Sequence, residues 1–303
     1  MERYFTTGNP GIGFDMDTSF DCLSCFFRQA LDAARRVSDD AGFHEQLLRQ
    51  MALWIHEADL KEPPPVMAQR LYRHLYTLTG VNDPFADAKE KDNELALSLL
   101  PELKQRVVKS SDPFKLAVRL AIAGNLIDLG ARSDLAEEEI LHAINNVEEI
   151  PFSGDLERLR KKSEEAESIF YLADNAGESV LDQLLIQQLG PHRITVAVRG
   201  KPILNDATMH DAETTGLTDI VTVISNGSDV PGTLLSECTE EVVNHFNNAD
   251  LVISKGQGNF ETLSKAPREI CFLLKVKCSV IAEETGHPLG NQALIWHTPG
   301  TSC

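Results

Sequence analysis

A chain of 303 residues with a formal net charge of −18 and a pI near 4.9 is long enough for two domains. It is too acidic for the basic groove that a nucleic-acid backbone needs. Hydrophobic residues make up 42 %, which allows a sizeable core, yet no apolar run reaches a membrane span and no secretory leader is visible. The expectation is a cytoplasmic protein with no membrane and no nucleic-acid partner, whose anionic ligands are held by local positive charge; the oligomeric state is unreadable.

After an irregular start, Cys22 and Cys25 form a single CxxC. No second CxxC or CxxH completes a four-ligand zinc set, and no strand leads into it as in a thioredoxin-like motif. A ligand or redox role and simple helix packing both stay open. Cys238, Cys271, Cys278 and Cys303 add no recognisable spacing, and six cysteines are too scattered for a disulfide framework. Apolar residues at three- and four-residue spacing predict helices over residues 26–37, 43–57, 64–78, 91–110 and 113–123. Pro63-Pro64-Pro65 separates two of them, and Asn82-Asp83-Pro84 is a turn with a capping acid. Next comes Gly124-Asn125, and Asn125 and Asp128 share one helix face within an apolar segment. Their partners are either polar groups of the other half of the chain or a sugar hydroxyl. Glu137-Glu138-Glu139 suits a helix's solvated first turn.

From about Ser168 the pattern changes. Short runs rich in Val and Ile, at 169–172, 194–198, 220–224, 251–254 and 279–282, read as strands buried on both faces, with helices at 180–189 and 234–246 between them. Strand and helix in repeated order imply right-handed crossovers and a parallel sheet. The expected fold class is α/β: a Rossmann-like, doubly wound parallel sheet in the C-terminal half and an all-helical N-terminal region. The division falls at residues 1–160 and 161–303, with the site in the second part.

Polar clusters follow three of these strands, where an open parallel sheet gathers its ligands. The first is Asp174-Asn175-Ala176-Gly177-Glu178. A carboxylate beside an amide carbonyl offers hard oxygen ligands for magnesium or manganese, and an ordinary helix cap is the competing reading. The second runs through Arg199-Gly200-Lys201-Pro202 and Asn205-Asp206-Ala207-Thr208 to His210-Asp211. Asp206 either completes an oxygen set or caps a helix, and Asp211 is either behind the site or exposed. The third is Lys255-Gly256-Gln257-Gly258-Asn259, in which glycine-rich backbone and a lysine suit a phosphate, or else a left-handed turn. Neither a Walker loop nor a GxGxxG is present, which weakens nucleotide and adenosyl-cofactor readings.

Together these motifs resemble the family once called domain of unknown function eighty-nine, now described as metal-dependent damage-control phosphatases. The likeness rests on Asp174 to Glu178, Asn205-Asp206, Lys255 to Asn259, Gly124-Asn125 with Asp128, the Asp83-Pro84 turn with Lys89, and a Cys22-x-x-Cys25 similar to the prokaryotic branch. The resemblance implies one divalent metal ion (Mg, Mn, Co or Ni) held by Asp174, Asn175 and Asp206, with Lys255 gripping a phosphate. It places Asn125 and Asp128 near the substrate, and Asn205, Asp211 and Asn259 join them as candidate binding residues; Glu178 and Glu261 also match. The implied activity is hydrolysis of phosphomonoesters of small metabolites, such as sugar phosphates or related damaged intermediates. Asp174, Asp206 and Lys255 are the catalytic candidates, with either water or Asp174 as nucleophile. A non-catalytic phosphometabolite sensor is the alternative, and a carboxyl methyltransferase a weaker one.

Overall fold

The structure is a computed structural model that describes residues 16–126 and 137–300. Asp128 and Cys303 lie outside the described residues. Five helices open the described chain: α1 Phe20–Val37, α2 Ala41–Glu57, α3 Pro64–Thr79, α4 Ala86–Lys109 and α5 Pro113–Ala123. Their ends follow local chemistry. Ser19 and Asp40 cap α1 and α2 through their side chains, while Pro64 and Pro65 fill the first turn of α3, where no N–H is required. Asp112 caps α5 ahead of Pro113. A short 3-10 turn, Gly124–Leu126, follows, and after the undescribed stretch α6 runs Glu137–Asn145 with the three glutamates at its start.

The remaining elements are β1 Phe152–Ser153, α7 Leu156–Glu165, β2 Ile169–Leu172, α8 Ala176–Leu189, β3 Ile194–Val198, α9 Met209–Thr214, β4 Thr222–Ser225, α10 Glu240–Asn248, β5 Leu251–Lys255, α11 Gly256–Leu263, β6 Ile270–Lys275, α12 Ser279–Thr285 and β7 Gln292–His297. The seven strands form one sheet in the order β1-β7-β6-β5-β2-β3-β4. Neighbours are parallel except β6 and β7, so β7 and the short β1 beside it run opposite to the other five.

Side chains alternate across the sheet and build a core on each face. Ile169, Tyr171, Val196, Ile253 and Leu273 point into one core with α4, α5 and α8. Phe170, Leu172, Val252, Phe272 and Ile295 point into the other with α10, α11 and α12. The N-terminal helices therefore divide. Helices α1 to α3 share a separate core of Phe26, Ala30, Leu47, Met51, Trp54, Leu71 and Leu75, whereas α4 and α5 belong to the layer that covers the sheet.

Four sequence expectations are corrected here. Residues 279–282 form the first turn of α12 rather than a strand: only Ile281 is buried, and Glu283 and Glu284 extend the run on the solvent side. The last two long strands, β6 and β7, were not expected, and their antiparallel pairing makes the sheet mixed. The run at 220–224 starts at Thr222, and 234–246 divides into a 3-10 turn at Leu235–Glu237 and helix α10.

Candidate active site

The chain crosses from β2 to β3 on one side, then returns to place β5 on the other side of β2. This is the topological switch point, where the carboxyl ends of neighbouring strands diverge and leave a crevice. Leu172 pairs with Ser254, so Asp174 and Gly256 leave the sheet together. Their closeness explains the glycine: Gly256 has φ +75°, and a Cβ there would lie 1.9 Å from Asp174 Oδ2.

Asn175 stands at the N-cap of α8, yet its side chain does not cap the helix. Its Nδ2 instead donates to Asp174 Oδ2 and to Glu178 Oε2, both at 3.1 Å. The loop after β3 folds back against this turn. Asn175 and Asp206 form an isolated bridge, Ala207 N donates to Asp174 O at 2.8 Å, and Ala176 N donates to Asn205 O at 2.9 Å. Asp174, Asn175 and Asp206 are thus neighbours, all buried. Asp206 is not a helix cap: Thr208 holds that position for α9, and its backbone N and Oγ1 donate to Asp211 Oδ2.

The helical layer reaches the same point through Asn125. Its Nδ2 donates to Asp174 Oδ2 at 3.2 Å and to Glu178 Oε2 at 2.8 Å, while its buried Oδ1 has no partner. Gly124 allows this approach, since a Cβ would meet Glu178 Cγ at 2.9 Å. Burial and the Glu178 and Asp206 carboxylates push Asp174 well above the ordinary carboxylate range; Arg199 and Lys277 pull the other way.

Lys255 is fully enclosed. Its Nζ donates to Ala121 O at 2.9 Å and to Glu178 Oε1 and Asp182 Oδ1, each at 2.6 Å. Tyr171 Oη donates to the same Asp182 oxygen at 2.8 Å. Burial pushes Asp182 up to about 6 despite the lysine, while Asp182 and Glu178 hold Lys255 above its ordinary value against its own desolvation. Both directions hold because two carboxylates share one ammonium. Three acceptors use all three N–H bonds of that ammonium, so Lys255 holds acids in place and presents no spare donor.

Other expected residues take supporting positions. Asn259 donates to Ala173 O and Lys255 O and accepts from Thr233 Oγ1, so its amide is engaged within the fold. Asp211 is buried and receives Asn93 Nδ2 at 3.0 Å and Lys89 Nζ at 3.3 Å; Lys89 also reaches Asp83 Oδ2 at 2.7 Å, which ties α4 to α9. Asn205 is buried beside the bridge. Cys22 is half-buried and Cys25 exposed, and burial pushes the Cys22 thiol up to about 11, away from reactive thiolates.

Sequence reasoning missed Asp182 and Thr233 as parts of this site, and placed Arg199 in the second polar cluster without a role. Arg199 is buried directly after β3, with Nε on Asp206 Oδ2 at 2.6 Å. Asp182 follows Glu178 by four positions, the spacing that puts both on one helix face and the signal that could have found it. A depression of about 610 Å³ lined by Ser168, Arg193, Glu240 and His245 opens at the amino-terminal ends of β2 and β3, away from the crevice.

Among the described residues no three His, Cys, Asp or Glu side chains are grouped to hold a metal. A cation at Asp174 and Asp206 would therefore take its third protein oxygen from Asn175. Two carboxylates and an amide are hard donors of the kind magnesium and manganese accept, and the excess of buried acid around Asp174 is what a cation would relieve. The residues fit such an ion.

Residues 18–293 match the damage-control phosphatase ARMT1-like domain. An uncharacterised protein of Methanocaldococcus jannaschii is 34 % identical over 285 residues, 91 % of this chain and 94 % of that protein. A protein of Archaeoglobus fulgidus named damage-control phosphatase is 34 % identical over 277 residues, 89 % of this chain and 96 % of its own. The crystal structure of a DUF89 family protein from Pyrococcus horikoshii superimposes with a TM-score of 0.84 at 30 % identity, covering 93 % of this chain and all of that one.

Proposed function

The chain belongs to the damage-control phosphatase ARMT1-like family, whose named relatives support a phosphatase role, and from that premise we propose a divalent-metal-dependent phosphatase of small phosphorylated metabolites. The substrate class is the phosphomonoester of a sugar or a related damaged intermediate. One observation carries this reading: Asp174, Asn175 and Asp206, drawn from two loops, lie side by side at the switch point.

Asp174, Asn175 and Asp206 would hold the ion, which when bound neutralises phosphoryl oxygens and lowers the pKa of water. The chain's own residues set the geometry. Asn125 and Asn175 both donate to Asp174 Oδ2, which fixes that carboxylate and leaves its direction set by two amides. Glu178, anchored by Lys255, accepts from the same two amides and keeps them oriented. Enclosure of these groups between the sheet and α5 excludes bulk water, which strengthens every charge interaction in phosphoryl transfer.

The test is phosphate release from an aryl phosphate and a panel of sugar phosphates by metal-stripped protein, with Mg, Mn, Co or Ni restored singly. Release that returns with metal and falls by at least about a thousandfold in Asp206→Ala is expected. No release from folded protein with any metal would overturn the reading in favour of ligand binding without turnover.

A further inference from the structure

Among the described residues two buried cations, Lys255 and Arg199, stand at this crevice, and Arg199 has a donor to spare. Lys255 uses its ammonium on Ala121 O, Glu178 and Asp182. Arg199 does not. Its Nε donates to Asp206 Oδ2 at 2.6 Å and its Nη1 to Thr233 Oγ1 at 3.4 Å, but Nη2 is buried without a partner. Asp174 Oδ1 lies 3.9 Å from Nη2, beyond hydrogen-bond reach. An orphaned N–H on a buried guanidinium is costly, so the resting fold leaves there a site that an acceptor would complete.

We propose that Arg199 is the phosphoryl-binding cation of this protein, its Nη2 donating to a non-bridging oxygen of the phosphomonoester or of the phosphate product. The proposal rests on the phosphatase reading for the identity of the anion. The chemistry favours a tetrahedral oxyanion. A guanidinium offers a planar fork of donors suited to phosphate, and Arg199 already spans the two carboxylates expected to hold the ion, so its charge falls where the phosphoryl group must lie. The fork is oriented from behind: Thr233 Oγ1 accepts from Nη1 and donates to Asn259 Oδ1 at 2.8 Å, and Asn259 is itself fixed on Ala173 O and Lys255 O. The Lys255-to-Asn259 motif thus serves the anion indirectly. Asn259 is a positioning residue for Arg199, and Lys255 a positioning residue for Glu178.

The experiment is calorimetric binding of inorganic phosphate to the manganese-loaded full chain, beside manganese binding alone, for wild type, Arg199→Lys, Arg199→Ala and Asn259→Ala. Arg199→Lys keeps a charge beside Asp206 and so keeps the test valid should the alanine variant unfold. Phosphate affinity is expected to fall at least tenfold in Arg199→Lys and further in Arg199→Ala. Asn259→Ala should lie between these and wild type, with manganese affinity unchanged within about threefold and kcat/KM down by about 10²–10³ in Arg199→Ala. Phosphate affinity equal to wild type in Arg199→Lys, a parallel loss of manganese affinity, or no phosphate binding by wild type would overturn the assignment. Failure of the phosphatase reading is separate: it would appear as phosphate binding that depends on Arg199 with no release from any ester.

Discussion

Two charged clusters are buried within one crevice, and they differ in how completely their cations are paired. Around Lys255 every donor of the ammonium has an acceptor, and Tyr171 adds another hydrogen bond to Asp182. Around Asp174 and Asp206, buried polar atoms remain orphaned at Asn125 Oδ1 and Arg199 Nη2. Asp182 Oδ2 is also without a partner, so the difference lies in the cations: a fully satisfied ammonium holds one arrangement, whereas a guanidinium with a donor to spare can take an arriving acceptor. By this criterion the lysine that the motif makes conspicuous is architectural, and the arginine that only opens a mixed-charge cluster in the sequence faces the ligand.

The comparison breaks most visibly at Lys255. Lys255→Met leaves Glu178 and Asp182 buried without their cation and should lower unfolding stability by about 3–5 kcal/mol, read from urea midpoints. A loss under about 1 kcal/mol would show that the knot is not structural. Gly256→Ala comes next, because its Cβ overlaps Asp174. Displacing that carboxylate should cost about a hundredfold in kcat, with the fold retained by circular dichroism; wild-type turnover would remove Asp174 from the chemistry.

Asp211→Asn should cost about 1–3 kcal/mol, since Lys89, Asn93 and Thr208 lose a buried carboxylate. KM should stay within a few-fold, and a tenfold rise without loss of stability would return Asp211 to the substrate. The smallest effect is expected at Glu261, a half-buried acid on α11 whose partner is the Gln257 amide rather than a cation. Burial pushes it up to about 7 from an ordinary 4.5. Because the folded value is the higher one, its contribution is present below pH 4.5 and lost as pH rises through 7. Glu261→Gln should therefore flatten the fall in stability between pH 5 and 8 by about 1 kcal/mol. An unchanged slope in thermal melts would show that the acid is solvated.

How much of this was legible follows from how local each signal is. Helices α3 and α5 and strands β2 and β3 were readable because proline, capping and apolar runs act within a few residues. Ser279-Val280-Ile281-Ala282 was not, since a four-residue apolar run fits a strand or a half-buried helix equally until the following glutamates are weighed. The meeting of Asp174 with Asp206 was legible through the switch-point rule. The partners of Lys255 were not: they lie 134, 77 and 73 positions away, and no pattern states which acid a lysine will meet. Likewise an arginine just past a strand end looks solvated in sequence, and only the fold encloses Arg199.

The phosphatase reading depends on one divalent ion held by Asp174, Asn175 and Asp206 in the crevice. Anomalous diffraction from crystals grown with manganese tests it most directly. A single strong peak is expected among the oxygens of those three side chains, absent from Asp206→Ala crystals. A peak at another site, or none from crystals soaked to saturation, would contradict it.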